Sequence, residues 1–334
     1  MRILLYLDPS PVRGGIEVYA DRQAGRLRAA GHEVAVADRI DPDAFARADA
    51  VYVHKCASVD DLAAFPPDKT TVYIHDHEPV CPRTYAYTPL GHTCTRPGGL
   101  WPCLFCAPAC RDWRGALRRV LSQRRRKELL ARVARLVVIS EFMKSRLVAN
   151  GLPAEKIVVS PPDPSEFPRP AGTGPGPVDL LYAGQLLRGK GVQVLLRAMA
   201  LMRRPRMLDV VGTGNMEAEL RALADRLGVA GRVRWRGFSA DVPAWMAAAA
   251  CVVVPSVWQE PYGLVAAEAV ALGRPVVASD IGGLPEACGG KAVLVPPGDA
   301  AALAEALDAA PPVSDRNRLQ SIAVDCNRIT RSPA

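Results

Sequence analysis

No apolar run in this 334-residue chain approaches the ~20 residues needed to cross a bilayer as a helix. The longest, such as residues 244–255, fall far short, so a membrane-spanning helix is excluded. The stretch M-R-I-L-L-Y-L-D-P is only briefly apolar before Asp8 and Pro9, so a buried first strand is expected there, not a signal peptide. The expectation is a cytoplasmic protein, where a disulfide framework is not expected despite nine cysteines. What is present is ordinary for a globular chain: 49% hydrophobic and 23% charged residues.

At this length two domains are expected, because single cores stop growing near ~250–300 residues. Short β-rich runs alternate with helical stretches, which points to an α/β fold with parallel sheets. Strands are expected at 3–7, 33–37, 51–54, 71–75, 136–140 and 157–160, with helices at 16–30, 117–131 and 141–150. The second half repeats the alternation, with strands at 179–183, 208–211, 233–236, 251–255, 275–278 and 292–295. Its helices are expected at 191–202, 216–227, 242–250, 264–272 and 300–309. The stretch 161–177 is dense in Pro and Gly and reads as a linker. The expected domains are thus 1–163 and 178–310, with a cysteine-rich insertion at 77–111, a linker at 164–177 and a tail at 311–334.

Two carboxylates stand out in Q-E-P-Y-G-L-V-A-A-E-A-V-A-L-G, which starts at Gln259. Glu260 precedes a helix start, and Glu268 lies inside a run flanked only by Ala, Val and Leu. Burying a carboxylate there is expensive unless something hydrogen-bonds it. One reading is an ion pair or a cap at each. The other is a pocket in which Glu268 accepts from vicinal hydroxyls while the amides of Tyr262, Gly263 and Leu264 face an anion. Lys190, in G-Q-L-L-R-G-K-G, opens a helix beside two glycines and can converge on a phosphate with it. Val211-Gly212-Thr213-Gly214 permits close backbone approach to a ligand. Gly282-Gly283 before Leu284-Pro285-Glu286 is another turn of that kind. Each motif alone is weak.

Together they are specific. G-Q-L-L-R-G-K-G, V-G-T-G, E-P-Y-G-L-V-A-A-E-A and S-D-I-G-G-L-P-E, in that order, closely resemble the retaining glycosyltransferases of family 4, glycosyl transferases group 1. In the first half, G-G-I-E-V-Y-A and V-V-I-S-E-F-M-K are similar to the family's glycine-rich loop and its last strand and helix of that domain. The resemblance implies the GT-B fold, two Rossmann-like doubly wound domains facing a cleft. It further implies that Glu268 would hold the ribose of a nucleotide-sugar and Glu260 would sit beside the donor sugar. The amides of Tyr262, Gly263, Leu264 and Val265 would contact sugar and diphosphate. Lys190 would neutralise the leaving diphosphate, with Gly15 approaching from the other domain. His75, in I-H-D-H, matches a histidine that reaches the donor sugar in many relatives. Relatives often carry Arg where this chain has Gln185, and Arg188 is the nearby cation that could substitute. Catalysis would need no bound metal, and no dedicated D-x-D motif is evident. Transfer would retain configuration by departure and attack on one face of the sugar. A nucleotide-sugar epimerase of the same fold is a second reading, disfavoured by the E-x7-E spacing.

Cys81, Cys94, Cys103, Cys106 and Cys110 fall within thirty residues, and C-x2-C at Cys103 and Cys106 has metal-ligand spacing. A structural zinc on Cys94, Cys103, Cys106 and Cys110 is the preferred expectation, with Cys81 an alternative fourth ligand. Uncoordinated thiols and an iron–sulfur cluster stay open. Several family 4 enzymes show a similar insertion. The segment 111–135, from Arg111 to Arg135, carries ten Lys/Arg against two acids, which equals the whole net charge of +8. It reads as a basic amphipathic helix, either a solvated face or a peripheral contact with anionic lipid on the inner face of the cell membrane. No nucleic-acid motif accompanies it, so nucleic acid is not expected as a partner. A metal-stapled nucleotide- or nucleic-acid-binding module is the non-enzymatic alternative. Expected partners are a nucleotide-diphosphate sugar and a hydroxyl on a glycan, a lipid-linked saccharide or a small molecule.

Overall fold

The computed structural model describes residues 1–9, 15–81, 86, 93–96, 103, 106, 113–172 and 174–312. The chain divides into two compact units, Met1–Pro161 and Pro162–Ala334. Each is built on a six-stranded, all-parallel sheet.

The first unit runs β1 (Arg2–Leu7), α1 (Gly15–Ala29), β2 (Glu33–Ala37), α2 (Pro42–Arg47), β3 (Ala50–Lys55), α3 (Val59–Ala64) and β4 (Thr70–Ile74). It continues with α4 (Trp113–Leu130), β5 (Arg135–Val138), α5 (Glu141–Val148) and β6 (Ile157–Val159). Its sheet order is β2-β1-β3-β4-β5-β6. Leu4, Tyr6, Val51, Val53, Val72, Ile74, Leu136 and Val138 alternate along their strands into the main core. The opposite face of β1 packs Leu5 on Ala20 and Ala24 of α1.

The second unit runs β7 (Val178–Ala183), α6 (Val192–Leu201), β8 (Leu208–Val211), α7 (Glu217–Arg226), β9 (Val233–Gly237) and α8 (Val242–Ala248). Then follow β10 (Ala249–Val254), α9 (Leu264–Ala271), β11 (Val276–Ser279), α10 (Leu284–Cys288), β12 (Val293–Val295) and α11 (Ala300–Ala309). The order is β12-β11-β10-β7-β8-β9. Both faces are covered, so its central strands are mostly apolar, as β10 (AACVVV, every residue buried) illustrates; Asp209 on β8 is buried as well, paired with Arg234 and Arg236. Leu180, Tyr182, Cys251 and Val253 serve the core under α6, α7 and α11, while Leu181, Ala183, Val252 and Val254 serve the one under α8, α9 and α10.

The expected strands all form, within two residues of their expected ends. Two six-residue helices, α2 and α3, were not among the expected elements. Both are closed by their caps: Asp41 accepts from the amides of Asp43 and Ala44, and Ser58 from that of Asp61. Within 164–177, Pro164–Glu166 makes a 3-10 turn capped by Asp163, and Phe167 is buried.

Candidate donor site and a histidine pair

In the second sheet the chain moves outward from β7 to β9, then returns and moves the other way from β10 to β12. The carboxyl ends of β7 and β10 therefore flank the switch point, where doubly wound sheets bind ligands. The loops there are 184–191 and 255–263.

Helix starts differ systematically in this unit. Asp241 caps α8 and Asp299 caps α11, each accepting first-turn amides. The helices after the four central strands have no side-chain cap: α6 starts at Gly191, α7 at Met216, α9 at Gly263 and α10 at Gly283. Amides left without a side-chain acceptor, at the positive ends of helix dipoles, are what an anion needs.

Lys190 and Glu260 meet there. Lys190 Nζ donates to Glu260 Oε1 at 2.8 Å, and Ser256 Oγ donates to the same oxygen at 2.7 Å. The lysine ammonium also lies 5.0 Å from the centre of the Trp258 ring. Burial by itself would push the Glu260 carboxyl up. The Lys190 charge and hydrogen bonds from Lys190, Ser256 and Trp258 outweigh it and hold the group below its ordinary value. The ion-pair reading of Glu260 is thus what the structure contains. Ser256 and Trp258 escaped the sequence reading; their signal is a polar residue and an indole immediately after a fully buried strand.

The glycines serve the loops themselves. A Cβ on Gly212, whose φ is +138°, would lie 1.9 Å from the carbonyl oxygen of Gly184, and one on Gly214 would lie 2.4 Å from that of Leu186. A Cβ on Gly191 would lie 1.7 Å from the carbonyl oxygen of Pro255, and one on Gly283 2.6 Å from that of Pro261. Backbone bonds tie the same loops: Leu186 N to Thr213 O, Val257 N to Gly189 O, and Gly283 N to Glu260 O. The close backbone approach expected for a ligand is, first, an approach of loop to loop.

Among the other expected donor residues, Gln185 is exposed, and its carbonyl accepts from Tyr182 Oη at 2.8 Å. Arg188 is exposed and paired with Glu219 at 3.2 Å. Exposed pairs contribute only about 0–1 kcal/mol, so this one is readily released. Tyr262 is buried, while Gly263, Leu264, Val265 and Glu268 are partly exposed. On α9 it is Ala266, Ala267 and Ala269 that are buried.

Gly15 and His75 belong to the first unit. Gly15 starts α1 and is exposed. His75 directly follows β4 and pairs with His54, on β3, across 3.2 Å between His75 Nε2 and His54 Nδ1. His54 Nε2 meets Gln23 Oε1 at 2.6 Å. His54 stacks on Tyr73 at 4.5 Å, and Tyr19 meets His75 edge-on at 5.2 Å. Burial holds His54 down at about 3, with His75 adding to it, and holds His75 at about 4 against the opposing charge of Glu17. Both rings are neutral near pH 7. They line a small pocket of about 40 Å³ with Lys55, Asp76, Glu78 and Arg126. Burial raises both Asp76 and Glu78. Arg126, almost fully buried, donates to the carbonyls of Cys56 and Ala57 and pairs with Glu78 at 3.3 Å. His54 and Gln23 were not singled out in the sequence; their signals are a histidine on the period-2 pattern of β3 and a glutamine on the buried face of α1.

Cys94, Cys103 and Cys106 are described, as is Cys81, and Cys110 lies outside the described residues. Among the described residues no group of three His, Cys, Asp or Glu side chains could hold a metal ion. Of the basic segment, Arg111 and Asp112 lie outside the described residues, and Trp113–Leu130 is helix α4 with Arg118, Leu121, Arg124 and Arg125 exposed. No described helix is long and apolar enough to cross a membrane.

Residues 177–310 match the family model for glycosyl transferases group 1. The chain is 37% identical over 174 residues to a D-inositol 3-phosphate glycosyltransferase of Pseudarthrobacter chlorophenolicus, covering 46% of this chain and 41% of that protein. It is 38% identical over 158 residues to an uncharacterized glycosyltransferase of Methanocaldococcus jannaschii, covering 43% and 38%. The chain thus spans about two fifths of the length of these curated relatives. Among solved structures, Anabaena HepE in complex with UDP-glucose superposes with a TM-score of 0.66 at 21% identity, covering 98% of this chain and 94% of that one. Sucrose-phosphate synthase of Thermosynechococcus elongatus gives 0.64 at 22%, covering 99% and 98%. In sequence the second unit matches glycosyl transferases group 1, and the chain as a whole has the GT-B fold.

Proposed function

We propose that the protein is a retaining glycosyltransferase that moves a sugar from a nucleotide-diphosphate sugar to a hydroxyl of a glycan, a lipid-linked saccharide or a small molecule. The observation that carries this is the Lys190–Glu260 pair at the strand-order switch, among four helix starts without side-chain caps. Breaking the bond to a nucleoside diphosphate builds negative charge on the leaving phosphate. Lys190 and the first-turn amides of α6 and α9 stabilise that charge without a metal. Arg188, released from Glu219, reinforces them where Gln185 brings no charge of its own. Glu260 takes hydroxyls of the donor sugar as Lys190 turns to the diphosphate, and Glu268 takes the ribose. The names of the relatives support a sugar transfer, and the Anabaena protein was solved with UDP and with UDP-glucose. The exposed basic side chains of α4 suit a lipid-linked acceptor held at an anionic membrane surface.

A thermal-shift screen across nucleotide-sugars identifies the donor, because only a molecule that binds the folded state stabilises it. The donor is expected to raise the melting temperature and to be consumed in the presence of an acceptor. Glu268→Ala is expected to lose both the shift and the transfer. Undiminished transfer by Glu268→Ala, or no shift with any nucleotide-sugar, sinks the assignment.

A further inference from the structure

The bonds around His75 determine which of its nitrogens carries the proton. Gln23 Oε1 is a carbonyl oxygen and can only accept, so at 2.6 Å His54 Nε2 must be the donor. The Gln23 side chain also hydrogen-bonds Tyr73. His54 is 3% exposed and neutral, and a neutral imidazole has one proton. With that proton on Nε2, His54 Nδ1 is bare and can only accept. The 3.2 Å contact therefore requires His75 Nε2 to donate. His75, neutral as well, is left with a bare Nδ1. Among the described residues it has no other hydrogen bond.

We propose that Gln23 and His54 are positioning residues that lock His75 in its Nε2–H form, so that His75 Nδ1 accepts a hydrogen bond from a sugar hydroxyl and never donates one. The stack of His54 on Tyr73 and the edge contact of Tyr19 on His75 hold the two rings in register for this relay. The sugar rests on the proposed function, whereas the proton arrangement does not. It follows that a donor whose hydroxyl at this position is replaced by hydrogen or by an ether loses the contact. One offering a carbonyl there meets a lone pair and is rejected.

The test reads the proton directly. In full-length protein with 15N-labelled histidine, two-bond proton–nitrogen correlations distinguish the two neutral forms. Both His54 and His75 are expected to show the Nε2–H pattern. Gln23→Met, of similar length and without an acceptor, is expected to replace the single His75 pattern by a mixture of the two forms. His54→Phe keeps the stacked ring and removes the relay; it is expected to do the same and to lower kcat with the donor KM held. If His54→Phe does not fold, Gln23→Met carries the comparison alone. A His75 proton on Nδ1 in the wild type, or an unchanged pattern in Gln23→Met, overturns the relay. Correct patterns in a protein that transfers no sugar leave the relay standing and remove the function.

Discussion

Glu260 is stabilised against its own burial by one cation, and that makes Lys190 a structural as well as a chemical residue. Its pair is mostly buried, with side-chain exposures of 25% for Lys190 and 7% for Glu260. Removing one partner of such a pair costs about 3–5 kcal/mol, because a charge is left without compensation. Lys190→Met is therefore expected to destabilise the second unit by about that much at pH 7, measured by denaturant unfolding. The sign of the pH effect follows from the direction of each shift. In the wild type the Glu260 value is depressed, so its contribution is present above the ordinary carboxylate range and is lost only as pH falls through the lower folded value. In Lys190→Met the unopposed burial raises that value, so acidification neutralises the group and narrows the gap between variant and wild type. A gap that widens toward pH 4 would falsify this account of the pair. Glu260, Glu268 and Lys190 can be picked out because a charge in an apolar or glycine-rich setting is chemically conspicuous. His54 and Gln23 cannot, because each acts through a partner distant in sequence: they are brought together from α1 and β3 only by the sheet.

At the scale of elements, the loops of the second unit are held by missing side chains. Gly212 is the sharpest case, since a Cβ would overlap the Gly184 carbonyl and the φ of +138° is one that other residues rarely adopt. Gly212→Ala is expected to destabilise the protein by roughly 2–3 kcal/mol. Gly231→Ala, in the same unit with nothing within 4 Å and no positive φ, is expected to stay within about 0.5 kcal/mol. Melting curves of the pair distinguish steric fit from a general intolerance of glycine loss. Strands were readable from runs of β-branched residues, because in a sheet covered on both sides most positions are apolar and a buried charge such as Asp209 must be paired. Helices α2 and α3 were not readable from periodicity, since six residues do not complete two turns. Their local signs were the caps Asp41 and Ser58, with Pro42 opening α2.

For the whole molecule, the charge excess is concentrated instead of spread. The segment 111–135 holds the equivalent of the entire +8. Exposed basic side chains such as Arg118, Arg124 and Arg125 are attracted to anionic bilayers by about 1 kcal/mol per residue near the surface, an attraction lost within a Debye length. Sedimentation with phosphatidylserine-containing vesicles is expected to carry the protein down at low salt and to release it at about 0.5 M. Equal binding to neutral vesicles would count against a lipid-facing role for α4. The two-unit architecture could be foreseen from chain length and from the repeated alternation of elements. The cysteine-rich stretch could not be read in the same way, because spacing alone does not say which thiols converge.

The laced loops around Gly184, Gly191, Gly212 and Gly283 bear on any attempt to redirect the proposed function to a new donor. Their backbones touch, so a change at one of these glycines displaces its neighbour, and single substitutions there explore ruined sites more than altered ones. Gln185, Arg188 and Thr213 sit in the same loops with exposed side chains. They can be varied without disturbing the weave, and a library aimed at donor preference belongs at those three positions.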